Sequence, residues 1–290
     1  MDKIRIVYYS GTGGTRMAAE CLADSLTKRN CQVAIQRLKA GEPEVLGEFD
    51  RLVVMFPVYA FNAPEPVLNW SRNLSEQQNK SAAVISVSGG GEMCPNTACR
   101  RRTIKNLEKK GFVVDYEAML VMPPNIAIAL KAPLDKMLLD ILPHKTEAIA
   151  DDLARNLTLR KHPLMLDRAL ASMSLFERFG AHWFGRRIRV SSACSGCAEC
   201  AMNCPSGNIS MHDGRPIFGK VCHLCMNCLY SCPAQALSPG LAKMALLKGG
   251  YDLKALARMP KQEPLTAEQI KVLAPGIAWM GVRSYLTSDR

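Results

Sequence analysis

Eight cysteines fall in two runs of identical spacing, Cys194-x2-Cys197-x2-Cys200-x3-Cys204-Pro205 and Cys222-x2-Cys225-x2-Cys228-x3-Cys232-Pro233. A shift of 28 residues maps each cysteine of the first run onto one of the second, and carries Pro205, Ile209 and Ser210 onto Pro233, Leu237 and Ser238. The segment is therefore an internal duplication. A cysteine at every third residue places three thiolates on one tight loop, which cannot reach round to a fourth corner. A 4Fe-4S cubane needs four, and the fourth comes from the other run, three residues beyond its loop and just before a proline. On this logic one cluster is held by Cys194, Cys197, Cys200 and Cys232, and the other by Cys222, Cys225, Cys228 and Cys204. Two zinc sites or a disulfide framework are the competing readings. Zinc usually takes two Cys-x2-Cys pairs and leaves interlocked fours unexplained.

The two runs resemble the bacterial two-cluster ferredoxin pattern in full, which implies a small α+β ferredoxin-like domain with two 4Fe-4S clusters. The rest of the 290-residue chain is long enough for a second domain, and its 48% hydrophobic content is ordinary for a chain that buries a core. No apolar run reaches membrane-spanning length, and Met1-Asp2-Lys3-Ile4-Arg5-Ile6 runs straight into strand-like sequence. The expected setting is the cytoplasm, where twelve cysteines stay reduced and available as ligands. Of the four outside the runs, Cys21 and Cys31 read as buried or partly buried thiols, and Cys94 and Cys99 fall at a loop.

The N-terminal half alternates strands and helices. Strands are expected over 4–9, 32–38, 51–56, 82–87 and 112–121, and helices over 14–29, 64–74 and 99–110. Five strands alternating with helices predict a parallel sheet covered on both faces, with ligands at the carboxyl ends of its strands. Three loops lie at those ends. In Ser10-Gly11-Thr12-Gly13-Gly14-Thr15 the glycines let backbone amides curl round an anion, three hydroxyls can donate to phosphate oxygens, and the following helix favours negative charge. The loop lacks the lysine of a nucleoside-triphosphate site, so a monophosphate held by neutral donors fits it. The second loop, Pro57-Val58-Tyr59-Ala60-Phe61-Asn62, offers Tyr59 and Phe61 as flat apolar cover. The third, Ser88-Gly89-Gly90-Gly91, lets backbone amides come close to a ligand's edge. Cys94 follows it as a candidate redox thiol, with an inert cysteine the plainer reading.

The first loop resembles the phosphate loop of flavodoxins. Joined to the strand alternation over residues 1–125, it implies a flavodoxin-like, doubly wound five-stranded parallel α/β sheet that binds FMN through all three loops. Pro123-Pro124-Asn125 ends the last strand. An amphipathic helix with a proline break is expected over 133–157, and a second helical stretch over 166–184 carries Leu170, Met173, Leu175, Phe176, Phe179, Trp183 and Phe184. Its broad apolar side is suited to packing the two modules together. The division expected is 1–160 for the flavin domain, 161–187 for a helical linker, 188–240 for the cluster domain and 241–290 for a helical extension that wraps back over the core.

A net charge of +11, with a knot at Arg186-Arg187-Ile188-Arg189, suits steering of an acidic redox partner protein. A membrane surface is the weaker alternative, and low aromatic content with no recognisable motif argues against nucleic acid. His223, between two cysteines of the second run, is a candidate for tuning a cluster, and no nucleophile-base pair is found. The chain as a whole resembles the flavodoxin-fused ferredoxins of anaerobic bacteria and archaea. That resemblance implies an electron-transfer flavo-iron-sulfur protein relaying between FMN and two clusters. A flavin-dependent reductase of a small substrate or NAD(P)H, and an electron-carrying subunit of a larger complex, stay open.

Overall fold

The computed structural model describes residues 2–40, 46–172 and 174–288, the side chains of 172, 174–179 and 241 excepted. The N-terminal part runs β1 (Lys3–Tyr8), α1 (Gly14–Thr27), β2 (Gln32–Arg37), β3 (Arg51–Pro57), α2 (Glu65–Asn73), β4 (Lys80–Ser88), α3 (Arg101–Lys109) and β5 (Phe112–Val121). All four pairings are parallel, in the order β2-β1-β3-β4-β5, the flavodoxin-like doubly wound order. The strands expected from sequence are all present. The apolar runs of β3 and β4 are buried almost throughout, as central strands covered on both faces must be. One face packs Ile6, Val53, Met55 and Ile85 against Ala18, Leu22 and Leu26 of α1. The other packs Val7, Leu52, Val54 and Val84 against Val67 of α2 and Ile104 and Leu107 of α3.

Beyond β5 comes α4 (Ala132–Ala154), which keeps Pro143 inside one helix and lies against α1. The residues after it cover the edge of β5: the Glu117 amide donates to the Leu159 carbonyl at 2.8 Å, and the Leu159 amide to Asp115 at 2.9 Å. That protects an otherwise open strand edge. Arg100, fully buried, is held by Glu117 at 3.1 Å, Ser86 at 2.8 Å and Glu92.

Over the helical stretch expected at 166–184 the described residues form α5 (Met165–Ser172) and α6 (Ser174–Arg186), on either side of residue 173. Of its apolar residues, Met173, Leu175, Phe176 and Phe179 lie outside the described residues or side chains. The two helices attach to different parts. On α5, the buried Asp167 accepts from the Thr97 amide and hydroxyl, and the Ala171 carbonyl accepts from Asn62 at 3.1 Å. On α6, Phe184 packs with Ile188, Met226 and Leu237 of the cysteine segment.

The cysteine segment pairs β6 (Arg189–Val190) with a late strand. It continues through α7 (Glu199–Met202), the hairpin of β7 (Ile209–His212) and β8 (Arg215–Phe218), and α8 (Asn227–Tyr230) to that strand, β9 (Leu237–Ser238). Here the sequence duplication becomes a conformational one. Left-handed residues occur at Gly196 and Leu224 (φ 71° and 54°), Ala198 and Met226 (60° and 61°), and Gly207 and Gln235 (61° and 47°), each pair separated by the sequence offset of 28. Leu224, Met226, Gln235 and Ala198 hold this shape without being glycine, at a cost of about 1–2 kcal/mol each. The same loop is thus enforced in both runs.

The last stretch forms α9 (Leu253–Arg258), α10 (Ala267–Leu273) and α11 (Met280–Thr287). Ile270, Ala274, Val282 and Leu286 pack with Val121, Leu134 and Leu138, so the extension does wrap back over the core. The α10 start is a capping box: Thr266 Oγ1 accepts from the Gln269 amide at 3.3 Å, while Gln269 Oε1 accepts from the Thr266 amide at 2.8 Å. Thr266→Ala is expected to cost about 1 kcal/mol, seen as roughly fivefold faster hydrogen exchange of the α10 amides with the sheet amides unchanged. Among the described residues no helix is long and apolar enough to cross a membrane.

Candidate functional site

A cavity opens where the strands end. Its wall comprises Ser10, Gly11, Thr12, Gly14 and Thr15 of the first loop, Pro57 to Ala60 of the second, and Ser88 with Gly89 of the third. Three segments not foreseen complete it: Met122 to Ile126 after β5, Leu224 between two cysteines of the second run, and Tyr251 just before α9.

At the anion end, α1 begins at Gly13, left-handed at φ 101°, with no side-chain cap and no acidic residue in its first turn. The Gly13 cap itself offers no side-chain acceptor, and a helix start of this kind can receive an anion. Ser10 and Thr15 are buried. Ser10 Oγ accepts from the Arg16 amide at 3.3 Å, and Asn125 Nδ2 donates to Thr12 Oγ1 at 2.8 Å, so loop one is tied to the loop after β5. The Arg16 side chain turns to Glu20 at 2.7 Å. Arg37, at the end of β2, brings the nearby positive charge instead, with Nη2 at 3.4 Å from the Ser10 carbonyl.

The second loop doubles back through a tight turn. Tyr59 and Asn62 exchange two backbone bonds of 2.9 Å, and Ala60 and Phe61 between them are both left-handed, at φ 36° and 64°. Two non-glycine residues with positive φ are costly, and such strain collects at functional sites. The turn puts Tyr59 in the cavity wall, its ring edge-on to Tyr9 with centroids 6.5 Å apart. Phe61 stands at the tip, 39% exposed and outside the wall. Asn62 also lies outside, its buried amide engaged with the Ala171 carbonyl and the Ala63 amide. In the third loop the Ser88 hydroxyl accepts from the Gly90 amide at 3.1 Å and from Asn96 at 3.3 Å. Gly91 faces α11, where a Cβ on it would stand 2.5 Å from the Gly281 carbonyl carbon, whereas a Cβ on Gly90 would meet Asn96 Nδ2 at 3.6 Å. Glycine serves a helix contact at Gly91, and the two residues are absent from the cavity wall. Gly13 acts through its backbone turn and is likewise not a wall residue.

Cys94 and Cys99 do not reach this cavity. A hydrogen bond to Asp167 raises the Cys94 thiol above its usual pKa, which leaves it less reactive. Cys99 is fully buried beside Arg100.

Tyr251 seals the side facing the C-terminal extension, its hydroxyl donating to the Pro123 carbonyl at 2.9 Å. Tyr230 of α8 ties the loop after β5 to the C-terminal extension, donating to the Asn125 carbonyl at 2.9 Å and accepting from the Leu247 amide at 2.9 Å. Proline-rich sequence after β5 and the strand-end rule together could have pointed to residues 122–126. Nothing local in the sequence marks Tyr251 or Leu224.

The cysteines stand in two sets, of which the second lies beside this cavity. Cys194, Cys197, Cys200 and Cys232 line one small cavity together with Met211, Pro216 and Leu237. In the other set, burial pushes the Cys225 thiol up to about 12, the Asn227 amide bonded to it opposes that, and the charges of Cys222 and Cys204 add to it. Cys228 is raised by burial and then by Cys225, Cys222 and Cys204. Each run's fourth cysteine therefore lies with the three of the other run. The backbone supplies matched donors, with the Asn208 amide on Cys204 Sγ and the Ala236 amide on Cys232 Sγ, both at 3.3 Å. Among the described residues no group of three or more His, Cys, Asp or Glu side chains is arranged to hold a metal ion.

Two contacts bring the second set to the sheet domain. A Cβ on Gly11 would stand 2.6 Å from Cys225 Cβ and 2.7 Å from the Tyr59 hydroxyl, and the Ala40 amide donates to the Pro205 carbonyl at 3.1 Å.

No protein-family model and no curated protein matches the chain. Several solved structures resemble it over the sheet. A short-chain flavodoxin associated with a non-canonical PDU bacterial microcompartment is 20% identical, covers 55% of this chain and 100% of its own, and has a TM-score of 0.40. Oxidised flavodoxin 2 from Bacillus cereus is 19% identical over 53% of this chain and 99% of its own, with a TM-score of 0.42. Rubredoxin oxygen:oxidoreductase from Desulfovibrio gigas is 17% identical over 54% of this chain and 36% of its own, with a TM-score of 0.38. The fold itself rests on the strand order and connectivity of the sheet.

Proposed function

We propose that the chain is an electron-relay protein that holds FMN at the strand-end cavity and two 4Fe-4S clusters in the crossed cysteine sets. The observation that carries this reading is the absence of any spacer between the two sites: Gly11 of the phosphate loop lies against Cys225, and a single Cβ would not fit between them. When bound, FMN would exchange one or two electrons and each cluster one, which suits a converter between electron pairs and single electrons.

The residues fit these groups. Loop one offers helix amides and hydroxyls to a phosphate, and Tyr59 with Met122 and Leu224 offers apolar cover to a flat ring. In the cages, burial holds Cys225 and Cys228 well above the usual thiol range as free thiols. Such groups become thiolates once a metal group compensates their charge. Residues 1–160 then carry the flavin, 188–240 the clusters, 161–187 the link between them, and 241–290 a cover that supplies Tyr251. No side chain acts as acid, base or nucleophile. The protein's part is ligation, exclusion of water and close approach. The excess of positive charge suits docking of an acidic redox partner.

A second reading has one supporting observation. A cavity of about 670 Å³ shares Pro123, Pro124 and Tyr251 with the flavin site and is lined further by Asp135, Lys243 and Lys248, room enough for a small substrate beside the flavin. Oxidation of NAD(P)H by the purified protein would favour it.

The deciding experiment is anaerobic purification with iron, sulfide and flavin measured on one sample, followed by a stepwise reductive titration read by visible absorption and EPR. About eight irons and one FMN per chain, with flavin and clusters sharing electrons, is the expected result. Clusters without flavin would leave the sheet as a scaffold and overturn the relay.

A further inference from the structure

The Tyr9 side chain is wholly buried, and its hydroxyl has no hydrogen-bond partner in the protein. A buried hydroxyl left unpaired costs about 1–3 kcal/mol, so an orphan of this kind calls for a partner from outside the chain. Its surroundings say which. Tyr9 follows β1 directly and leads into the phosphate loop, and two residues on, Gly11 touches Cys225. Cys225, Cys204 and Cys222, three of the four thiols in the second set, are near enough to act on the buried phenol. Its ring packs edge-on against Tyr59 in the wall of the flavin cavity. Tyr9 thus stands at the seam between the two sites, packed on Tyr59 and two residues from the Gly11–Cys225 contact.

Resting on the cluster reading above, we infer that the Tyr9 hydroxyl donates a hydrogen bond to the second 4Fe-4S cluster and raises its reduction potential above that of the first. The cluster gains one negative charge on taking an electron, and a donor aimed at it stabilises the reduced form more than the oxidised one. The electron-accepting position next to the flavin is thereby the one the protein favours. Tyr9 is a tuning residue, and it transfers neither a proton nor an electron itself.

Tyr9→Phe tests this, because it removes the oxygen and keeps the ring against Tyr59. In an anaerobic titration of the loaded protein followed by EPR, one of two cluster potentials is expected to fall, shifting electron sharing between clusters about tenfold, or about 59 mV for one electron. The other stays in place. In deuterated buffer, the reduced cluster that shifts is expected to lose one exchangeable deuteron coupled to it. Equal shifts of both potentials would reduce Tyr9 to a packing residue, and no shift with the deuteron retained would overturn the hydrogen bond. A parent protein without clusters would defeat the cluster reading, and this inference with it.

Discussion

Replacing Cys232 with alanine is expected to remove the cluster held mainly by the first run, taking iron from about eight to about four per chain while the second cluster's signal survives. Cys232 lies ten residues beyond the first cysteine of its own run, yet it lines a cavity with Cys194, Cys197 and Cys200, and its charge acts on Cys200. The reciprocal variant, Cys204→Ala, is expected to spare the first cluster and lose the second, since Cys204 bears on Cys222, Cys225 and Cys228. Measured by iron analysis and EPR, the two variants should give opposite patterns. If Cys232→Ala instead loses the second cluster, each run binds its own metal and the crossed assignment fails.

The extent to which this was legible in the sequence follows the range of the forces involved. The sheet was readable because β3 and β4 carry apolar runs of strand length, and burial on both faces leaves such runs no other use. The crossed grouping of the cysteines was expected because a 4Fe-4S cubane, if present, needs a fourth thiolate from beyond each loop. The repeat also hinted at backbone shape: Gly196 and Gly207 mark left-handed positions in the first run, but Leu224 and Gln235 occupy the same places in the second without any sign in their chemistry. What failed to show was which loop residues face the cavity. Gly90 and Gly91 looked like ligand-facing glycines and are engaged by α11, some 190 residues away in sequence. The choice between ligand and neighbouring helix depends on that distant packing. Tyr251 was invisible for the same reason, as a lone aromatic in a segment whose position is set by its contacts with α4 and the loop after β5.

Gly11→Ala is expected to damage flavin binding and the second cluster together, leaving the first cluster intact. The added carbon would sit 2.6 Å from Cys225 Cβ and 2.7 Å from the Tyr59 hydroxyl. Tyr59 can give way at the end of a ring, but Cys225 Cβ is one bond from the main chain, so the loops themselves must part. Overpacking of this kind costs about 1–3 kcal/mol. Charged wholly to the flavin, that is a loss of roughly fivefold to 150-fold in affinity. Gly249→Ala is a suitable control, since nothing lies within 4 Å of the added carbon. The measurement is FMN affinity by fluorescence quenching alongside iron per chain. Loss of flavin with both clusters retained would show that the phosphate loop can move without disturbing Cys225, and the contact would not be the electron path. Loss of both, with the first cluster's EPR signal preserved, is the result a shared wall requires, because one steric insult then reaches two cofactors that the chain holds through neighbouring atoms.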